Sequence, residues 1–139
     1  MSADPYLAEQ LNLMLQKSRR ALHAARQHVS DGDYDFAASR SYYAAFYALE
    51  TVLLAVDLTF SKHSVVLGAF NHHFIKTNKF PQAHSKRLAR LFRERQVGDY
   101  DFGDTITKEE AEKTLRTPSK SSRITDYLIR EKFIFNATE

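Results

Sequence analysis

The sequence predicts an all-α protein, an up-and-down bundle of four to five helices with short antiparallel connections. Only 4 glycines and 3 prolines interrupt the 139 residues, below the average usage of roughly 7% and 5%. Apolar residues recur at helical spacing through long stretches, and 43% of the residues are hydrophobic, enough to fill a core. A turn-rich β-sandwich would need many more chain-breaking residues, so we expect long helices.

The first predicted helix spans residues 5–29, where apolar side chains recur three and four positions apart with charged residues between them. Ser30-Asp-Gly-Asp33 breaks this helix, and one of its two aspartates is expected to cap the next one. The second predicted helix, residues 34–56, is apolar on all sides, and Arg40 and Glu50 are the only charges after its first two residues. A helix of this kind lies at the centre of a fold.

A third helix is predicted to run to about Lys76, with Ser61 or Ser64 as its N-cap. Its inward side chains are expected to be Val65, Val66, Phe70 and Phe74. The turn that follows ends in Pro81, which stops the helix.

The fourth helix is predicted over residues 82–97, ended by Gly98 and followed by an acidic loop over residues 99–104. Its apolar stripe consists of Leu88, Leu91 and Phe92.

The capping-box pattern Thr107-Lys-Glu-Glu110 opens a fifth helix. Pro118 lies inside that helical pattern and is expected to kink or interrupt it. The tail from residue 132 is expected to fray, although Phe133 and Phe135 can dock on the core.

These elements predict one domain over residues 1–139, with a core of about residues 5–130 and no internal repeat or linker. No apolar stretch approaches the ~20 residues of a membrane span, and the N-terminus lacks the pattern of a signal peptide. The absence of cysteine excludes disulfides, thiol catalysis and cysteine-ligated metals. We therefore expect a cytoplasmic protein without membrane contact.

Positive charge is concentrated in the middle of the chain. Residues 58–97 hold eight Lys and Arg against one Glu, a local charge of +7, whereas each flanking block carries −2. The middle block also holds four histidines, His63, His72, His73 and His84. Such a block is typical of a surface that faces a phosphate backbone. It is equally typical of a solvated helix face whose charges pair with the acidic C-terminal third.

Two arginines occupy positions that the helical periodicity places on inward faces. Arg95 extends the apolar stripe of the fourth helix, and Arg40 forms one seam with Tyr43, Tyr47 and Glu50 on the second. A buried guanidinium must be paired or hydrogen-bonded. The structural interpretation is an Arg–Glu pair within the core or across a subunit interface. The functional one is a phosphate clamp, because the planar fork of arginine suits phosphate oxygens.

The motifs of several other chemistries are missing from the sequence. It has no Glu-x-x-His pair of the di-iron type, no His-Glu-x-x-His, no Gly-rich phosphate loop and no Gly-x-Ser-x-Gly. His72 and His73 are adjacent, so on a helix they diverge by about 100° and cannot chelate one ion together. We therefore predict no metal and no cofactor.

Three segments together resemble the signature of HEPN-domain proteins, above all the small single-domain prokaryotic members. They are Ser39-Arg-Ser-Tyr-Tyr-Ala-Ala-Phe-Tyr-Ala48, Lys62-His-Ser64 and Arg95-Gln-Val-Gly-Asp-Tyr100. The resemblance covers about residues 5–130. It implies a helical bundle that often dimerises. It also implies, for many members, a metal-independent endoribonuclease that acts as a toxin beside a nucleotidyltransferase antitoxin.

The ribonuclease motif of the family consists of an arginine, a polar residue and a histidine a few positions later. Arg95 and Gln96 match its start, but the stretch ends in Asp99 and Tyr100 in place of the histidine. Tyr100 has a reference pKa of about 10 and is a poor base. His63 or His84 can substitute only if the fold brings one of them near Arg95.

We therefore predict an RNA- or nucleotide-binding protein, an endoribonuclease toxin if catalysis survives the missing histidine. The predicted catalytic residues are Arg95, Tyr100 and Arg40. The predicted phosphate and RNA contacts are Arg40, Tyr43, Gln96, Arg90, Arg93 and His63. The alternative is a non-catalytic HEPN protein that binds a nucleotidyltransferase or a small nucleotide. A homodimer is expected in either case, because the apolar second helix exceeds what one small bundle needs to bury.

Overall fold

The computed structural model describes residues 4–60, 62–100, 106–116 and 120–134, with the backbone alone at 97–100, 116 and 120–122. These residues form six α-helices and no strand. The helices are α1 (Pro5–Asp31), α2 (Tyr34–Ala55), α3 (His63–Phe70), α4 (Gln82–Tyr100), α5 (Lys108–Arg116) and α6 (Lys120–Arg130). The predicted all-α bundle is confirmed. Its fifth helix is observed as two, α5 and α6, on either side of the predicted interruption; Pro118 itself lies outside the described residues.

Helix α1 begins and ends with the local signals that its sequence carries. The Asp4 carboxylate accepts a hydrogen bond from the Tyr6 N–H at 3.1 Å, and Pro5 occupies the first turn. Gly32 ends the helix in the left-handed conformation, with φ at 83°. Asp31 is still helical, and Asp33 occupies the N-cap position of α2 without a side-chain hydrogen bond. The predicted carboxylate cap is therefore wrong, and the glycine alone makes the tight reversal.

Helix α2 is the centre of the fold and packs against α1, α4 and α6. Fourteen of its 22 residues are buried within the single chain. Its alanines let α1 approach so closely that the Ser18 hydroxyl donates to the Ala44 carbonyl at 2.5 Å. Most of the apolar surface of α2 is thus buried inside one chain, although Phe36 near its start is 57% exposed. The sequence argument for a homodimer is therefore weakened.

Helix α3 corrects two predictions. Lys62 occupies its N-cap position and Ser64 is the second helical residue, while Ser61 lies outside the described residues. Val65 is 43% exposed, because the buried stripe follows the spacing of four residues through Val66, Phe70 and Phe74. A π-helical turn, Asn71–Ile75, continues α3 to the predicted end of the helix and buries both Phe74 and Ile75.

Helix α4 runs three residues further than predicted, through Gly98 to Tyr100. A glycine inside a helix costs only about 1 kcal/mol relative to alanine, and it does not adopt a left-handed φ here. Helix α5 opens as predicted: the Glu110 N–H donates to the Thr107 hydroxyl oxygen at 3.1 Å, and that hydroxyl donates to the Glu110 carboxylate at 3.1 Å.

One apolar core joins α1, α2, α3, α4 and α6. Its largest fully buried side chains are Tyr42, Phe70, Phe74, Leu11, Leu15, Leu49 and Leu53. After α6 the chain docks Ile134 into this core, and Phe133 packs against it, while Phe135 lies outside the described residues. No helix in the described part of the chain is long and apolar enough to cross a membrane.

Candidate functional site

Two arginines from different helices meet at one tyrosine. The Arg40 Cζ lies 4.8 Å from the centre of the Tyr43 ring, and the Arg95 Cζ lies 5.6 Å from the same centre. The Arg95 Nη2 also donates a hydrogen bond to the Tyr43 hydroxyl oxygen at 3.2 Å. Because both guanidiniums contact one ring, their Cζ atoms are at most about 10 Å apart.

This geometry follows from the packing of α4 on α2. Arg40 and Tyr43 are three residues apart on α2, so they lie on one face of that helix. Arg95 continues the stripe of α4 that carries Leu88 and Leu91 into the core, and it is half-buried. Its Cζ also lies 5.5 Å from the centre of the Tyr42 ring. The Arg95 guanidinium therefore lies against two aromatic rings.

Helix α3 adds a histidine to the same place. The Nδ1 of His63 lies 3.0 Å from the Tyr42 hydroxyl, within hydrogen-bond distance. The imidazole stacks on Phe46 with ring centres 3.9 Å apart and an angle of 22°, and it meets the edge of the Tyr43 ring at 5.7 Å. We call Arg40, Tyr42, Tyr43, His63 and Arg95 the arginine–tyrosine cluster.

The environment of the cluster sets the protonation of its histidine and of its buried tyrosine. Burial, and then the positive charge of Arg95, lower the pKa of His63 below its ordinary value of 6.5. Burial raises the pKa of Tyr42 to about 12, with Arg95 opposing the rise. At neutral pH the imidazole is therefore uncharged and the phenol keeps its proton. When the Nδ1–H donates to the Tyr42 oxygen, the Nε2 lone pair is left to accept a proton.

The cluster thus combines two fixed cations with a neutral imidazole and phenolic hydroxyls. Such an arrangement can bind a phosphate group and move a proton beside it.

The remaining members of the predicted α2 seam lie next to the cluster but make different contacts. The Tyr47 ring is 5.8 Å from that of Tyr43, and the Lys17 Nζ lies 4.7 Å over the Tyr47 ring. Burial raises the pKa of Glu50, and the cation that opposes this rise is Lys17. No Arg40–Glu50 ion pair occurs in the described structure, so these contacts do not support the Arg–Glu interpretation of the seam.

The predicted RNA contacts of α4 separate into two groups. Arg93 and Gln96 are exposed. Arg90 is half-buried, with its Nε 3.6 Å from the Glu94 carboxylate, and its Nη2 donates to the Thr114 hydroxyl at 3.3 Å. The structure therefore places Arg90 in the contact between α4 and α5, which leaves Arg93 and Gln96 as the exposed pair.

The predicted residues after Gln96 are described only in part. The backbones of Asp99 and Tyr100 belong to the last turn of α4, and their side chains lie outside the described residues. The role of Tyr100 therefore stays a prediction.

His84, the other histidine considered as a base, lies outside the arginine–tyrosine cluster. His84 is buried against Phe80, with ring centres 5.8 Å apart, near the start of α4. It precedes Arg95 by eleven residues, about 16 Å along a helix. Within the described ranges, no three His, Asp or Glu side chains come together as a metal site would require.

Tyr42 was not among the predicted site residues. Its position inside the apolar run of α2 indicated core packing, and it is 1% exposed. The available signal was chemical: a buried tyrosine needs a hydrogen-bond partner for its hydroxyl. The sequence did not show that this partner is His63.

The fold and the site define an all-α helical bundle in which arginines from α2 and α4 meet at one tyrosine. Comparison with known proteins gives the family. Residues 11–120 match the family model described as the HEPN domain. The chain belongs to the HEPN family, and the resemblance found in the sequence is confirmed.

Three curated relatives are similar over most of the chain. A protein named "Putative toxin" from Methanocaldococcus jannaschii is 37% identical over 103 residues, 74% of this chain and 70% of that protein. A UPF0332 protein from Thermotoga maritima is 40% identical over 95 residues, 68% of this chain and 70% of the relative. A UPF0332 protein from Gloeobacter violaceus is 35% identical over 92 residues, 66% and 72% of the two chains.

Proposed function

We propose that this protein is a toxin-like HEPN protein that binds RNA at the arginine–tyrosine cluster and cleaves it without a metal ion. The observation that carries the proposal is the meeting of three helices at Tyr43, with Arg40 and Arg95 at its ring and a neutral His63 at its edge. The name of the M. jannaschii relative supports the toxin-like role.

The proposed reaction is attack by an RNA 2′-hydroxyl on the neighbouring phosphorus. The bond from O2′ to phosphorus forms and the bond from phosphorus to O5′ breaks, which leaves a 2′,3′-cyclic phosphate and a 5′-hydroxyl. His63 takes the proton of the 2′-hydroxyl, and a phenol returns a proton to O5′. The Tyr43 hydroxyl suits this second role, because it accepts its hydrogen bond from Arg95 and keeps its own proton to donate. Tyr100 is the further predicted candidate.

Arg40 and Arg95 stabilise the charge that develops on the phosphoryl oxygens. Donors that are already in place before the reaction contribute most, since they need not reorganise. The aromatic contacts of both guanidiniums supply that preorganisation. Arg93 and Gln96 are exposed on α4, and the proposal assigns them contacts with the RNA backbone beyond the scissile phosphate.

Replacing His63 by alanine is expected to slow RNA cleavage by about a hundredfold to ten-thousandfold, the usual contribution of a general base. The measurement is cleavage of total RNA in the presence of a chelator. Arg26→Ala, which removes an exposed α1 cation outside the cluster, is the control and should cleave like the unaltered protein. Because His63 must be uncharged to act, the rate should rise with pH through a pKa below 6.5.

His63→Gln keeps a side chain of similar size and guards against a folding defect in the alanine variant. Cleavage by both variants at the rate of the unaltered protein would remove His63 from the reaction. A requirement for added divalent metal would remove the metal-independent mechanism.

A second candidate is a non-catalytic HEPN protein that binds and regulates a nucleotidyltransferase or a small nucleotide. It is favoured by the sequence of α4, which carries Asp99 and Tyr100 where the ribonuclease motif has its histidine. A protein that leaves RNA intact but co-purifies with a nucleotidyltransferase would support this candidate over the ribonuclease. The cytoplasm is the proposed compartment for both.

A homodimer also stays part of the proposal, now mainly on the family resemblance, since 14 of the 22 residues of α2 are buried within one chain. Light scattering at micromolar concentration should give the mass of two chains. Phe36, which is 57% exposed on α2, is an apolar position at which to test the interface. A monomer at that concentration would contradict the prediction.

A further inference from the structure

A second positively charged site lies at the other end of α4 from the arginine–tyrosine cluster. A cavity of about 180 Å³ opens between the turn before α4 and the outer face of α6. Lys79, Arg123 and Arg130 supply its cations, and Asp126 is the one carboxylate that lines it. Helix α4 begins at Gln82, thirteen residues before Arg95, so about 20 Å of this helix separates the two sites.

Aromatic rings contact two of the three cations of this cavity. Phe80 and Tyr127 line the cavity with ring centres 5.4 Å apart, and both are buried. The Arg130 Cζ lies 5.8 Å from the centre of the Tyr127 ring, and the Lys79 Nζ lies 5.6 Å from the ring of Phe74. Rings fix the position of a cation and leave its charge uncompensated.

Carboxylates neutralise this charge only weakly. Among the described residues, Lys79 and Arg123 make no ion pair, and Asp126 makes none with the cations around it. Arg130 meets Glu131 at 4.0 Å, but both side chains are at least half exposed, and such pairs contribute little. The lining therefore keeps a net charge of about +2. Consistent with this field, burial and then the nearby Arg90 and Arg123 lower the pKa of Arg87.

We propose that this cavity is a second anion site that takes a terminal phosphate monoester, carried by a free nucleotide or by the 5′ end of an RNA. A phosphate monoester carries about −1.5 to −2 at pH 7, which matches the net charge of the lining, whereas a phosphodiester carries −1. The volume is well below the ~300–1,000 Å³ of pockets that enclose a whole ligand. The phosphate is therefore held inside, and the nucleoside lies over the mouth.

The test is a binding titration with matched probes: AMP against adenosine, and a 5′-phosphorylated RNA decamer against the same RNA with a 5′-hydroxyl. Both titrations are repeated in an Arg95→Ala background, so that phosphate bound at the arginine–tyrosine cluster does not contribute. Each phosphorylated probe should bind about tenfold or more tightly than its partner. Binding of AMP identifies the free nucleotide as a source; binding of the phosphorylated RNA alone identifies the RNA end.

Two substitutions on the exposed face of α6 should act in opposite directions. Arg123→Gln should weaken binding of the phosphorylated probes about tenfold, and Asp126→Asn should tighten it about threefold. Lys113→Gln removes an equal charge from α5, away from the cavity, and should leave binding unchanged.

Three results would overturn the site: no preference for either phosphorylated probe, equal effects of Arg123→Gln and Lys113→Gln, or no tightening by Asp126→Asn. Since the readout is binding and not cleavage, a protein that fails to cleave RNA can still pass this test, and an active ribonuclease can still fail it.

Discussion

Arg95→Ala is expected to reduce RNA cleavage by about a hundredfold to a thousandfold, the size of effect seen when one preorganised donor to a transition-state oxyanion is removed. Arg95 touches both Tyr42 and Tyr43 and donates to the Tyr43 hydroxyl, so its loss removes a phosphate donor and the group that orients Tyr43. The measurement is the rate of RNA cleavage in chelator, with Arg26→Ala as the charge-matched control. Arg95→Lys keeps the charge without the planar fork and should recover only part of the rate.

The pH profile separates an electrostatic role of Arg95 from a merely structural one. Arg95 lowers the pKa of His63, after the larger effect of burial. Removing this cation lets the pKa of His63 rise, so the acidic limb of the residual activity should move to higher pH in Arg95→Ala. Arg95→Lys should leave the limb near its original position. An unchanged limb in the alanine variant, or full activity, would contradict the assignment.

Leu49→Ala is expected to destabilise the protein by about 3–4 kcal/mol, the cost of removing a buried leucine and leaving a cavity. Leu49 is fully buried in the middle of α2, where three other helices pack on the same helix. Since a domain is stable by only about 5–15 kcal/mol, this change removes a large part of the total. Urea unfolding followed by circular dichroism measures it.

Leu13→Ala is the matched control, because Leu13 is 57% exposed on α1. It should change the free energy of unfolding by no more than about 0.5 kcal/mol. Equal losses in the two variants would show that α2 is not the centre of the core.

The helices were predictable because helix formation is governed by contacts three and four residues apart. The apolar spacing indicated α1, α2 and α4, and the capping box at Thr107 placed the start of α5 correctly. Helix ends were less predictable. Glycine commonly ends helices, yet α4 continues past Gly98. The modest cost of a glycine within a helix is outweighed by packing elsewhere in α4.

The arginines of the candidate site could be predicted from the sequence, whereas the position of His63 beside Tyr42 could not. Arg40 and Arg95 could be identified because the residue spacing places each of them on an otherwise apolar helix face, where an unpaired charge is costly to bury. His63 lies 32 residues before Arg95 in the chain, and no periodicity relates residues on separate helices. As candidates for the base, His63 and His84 were therefore equivalent in the sequence, although His63 alone was predicted as an RNA contact. Only the packing of α3 on α2 brings His63 to Tyr42.

By itself the sequence determined that this chain forms helices, that α2 is central, that the chain resembles the HEPN family and that two arginines face inward. Those properties depend on residue types and on spacings within one helix. The tertiary structure decided that both guanidiniums share the Tyr43 ring, that a neutral imidazole joins them and that a second group of cations gathers around Phe80 and Tyr127. Those properties depend on the rotation and register of one helix against another, which side-chain packing sets across the whole core.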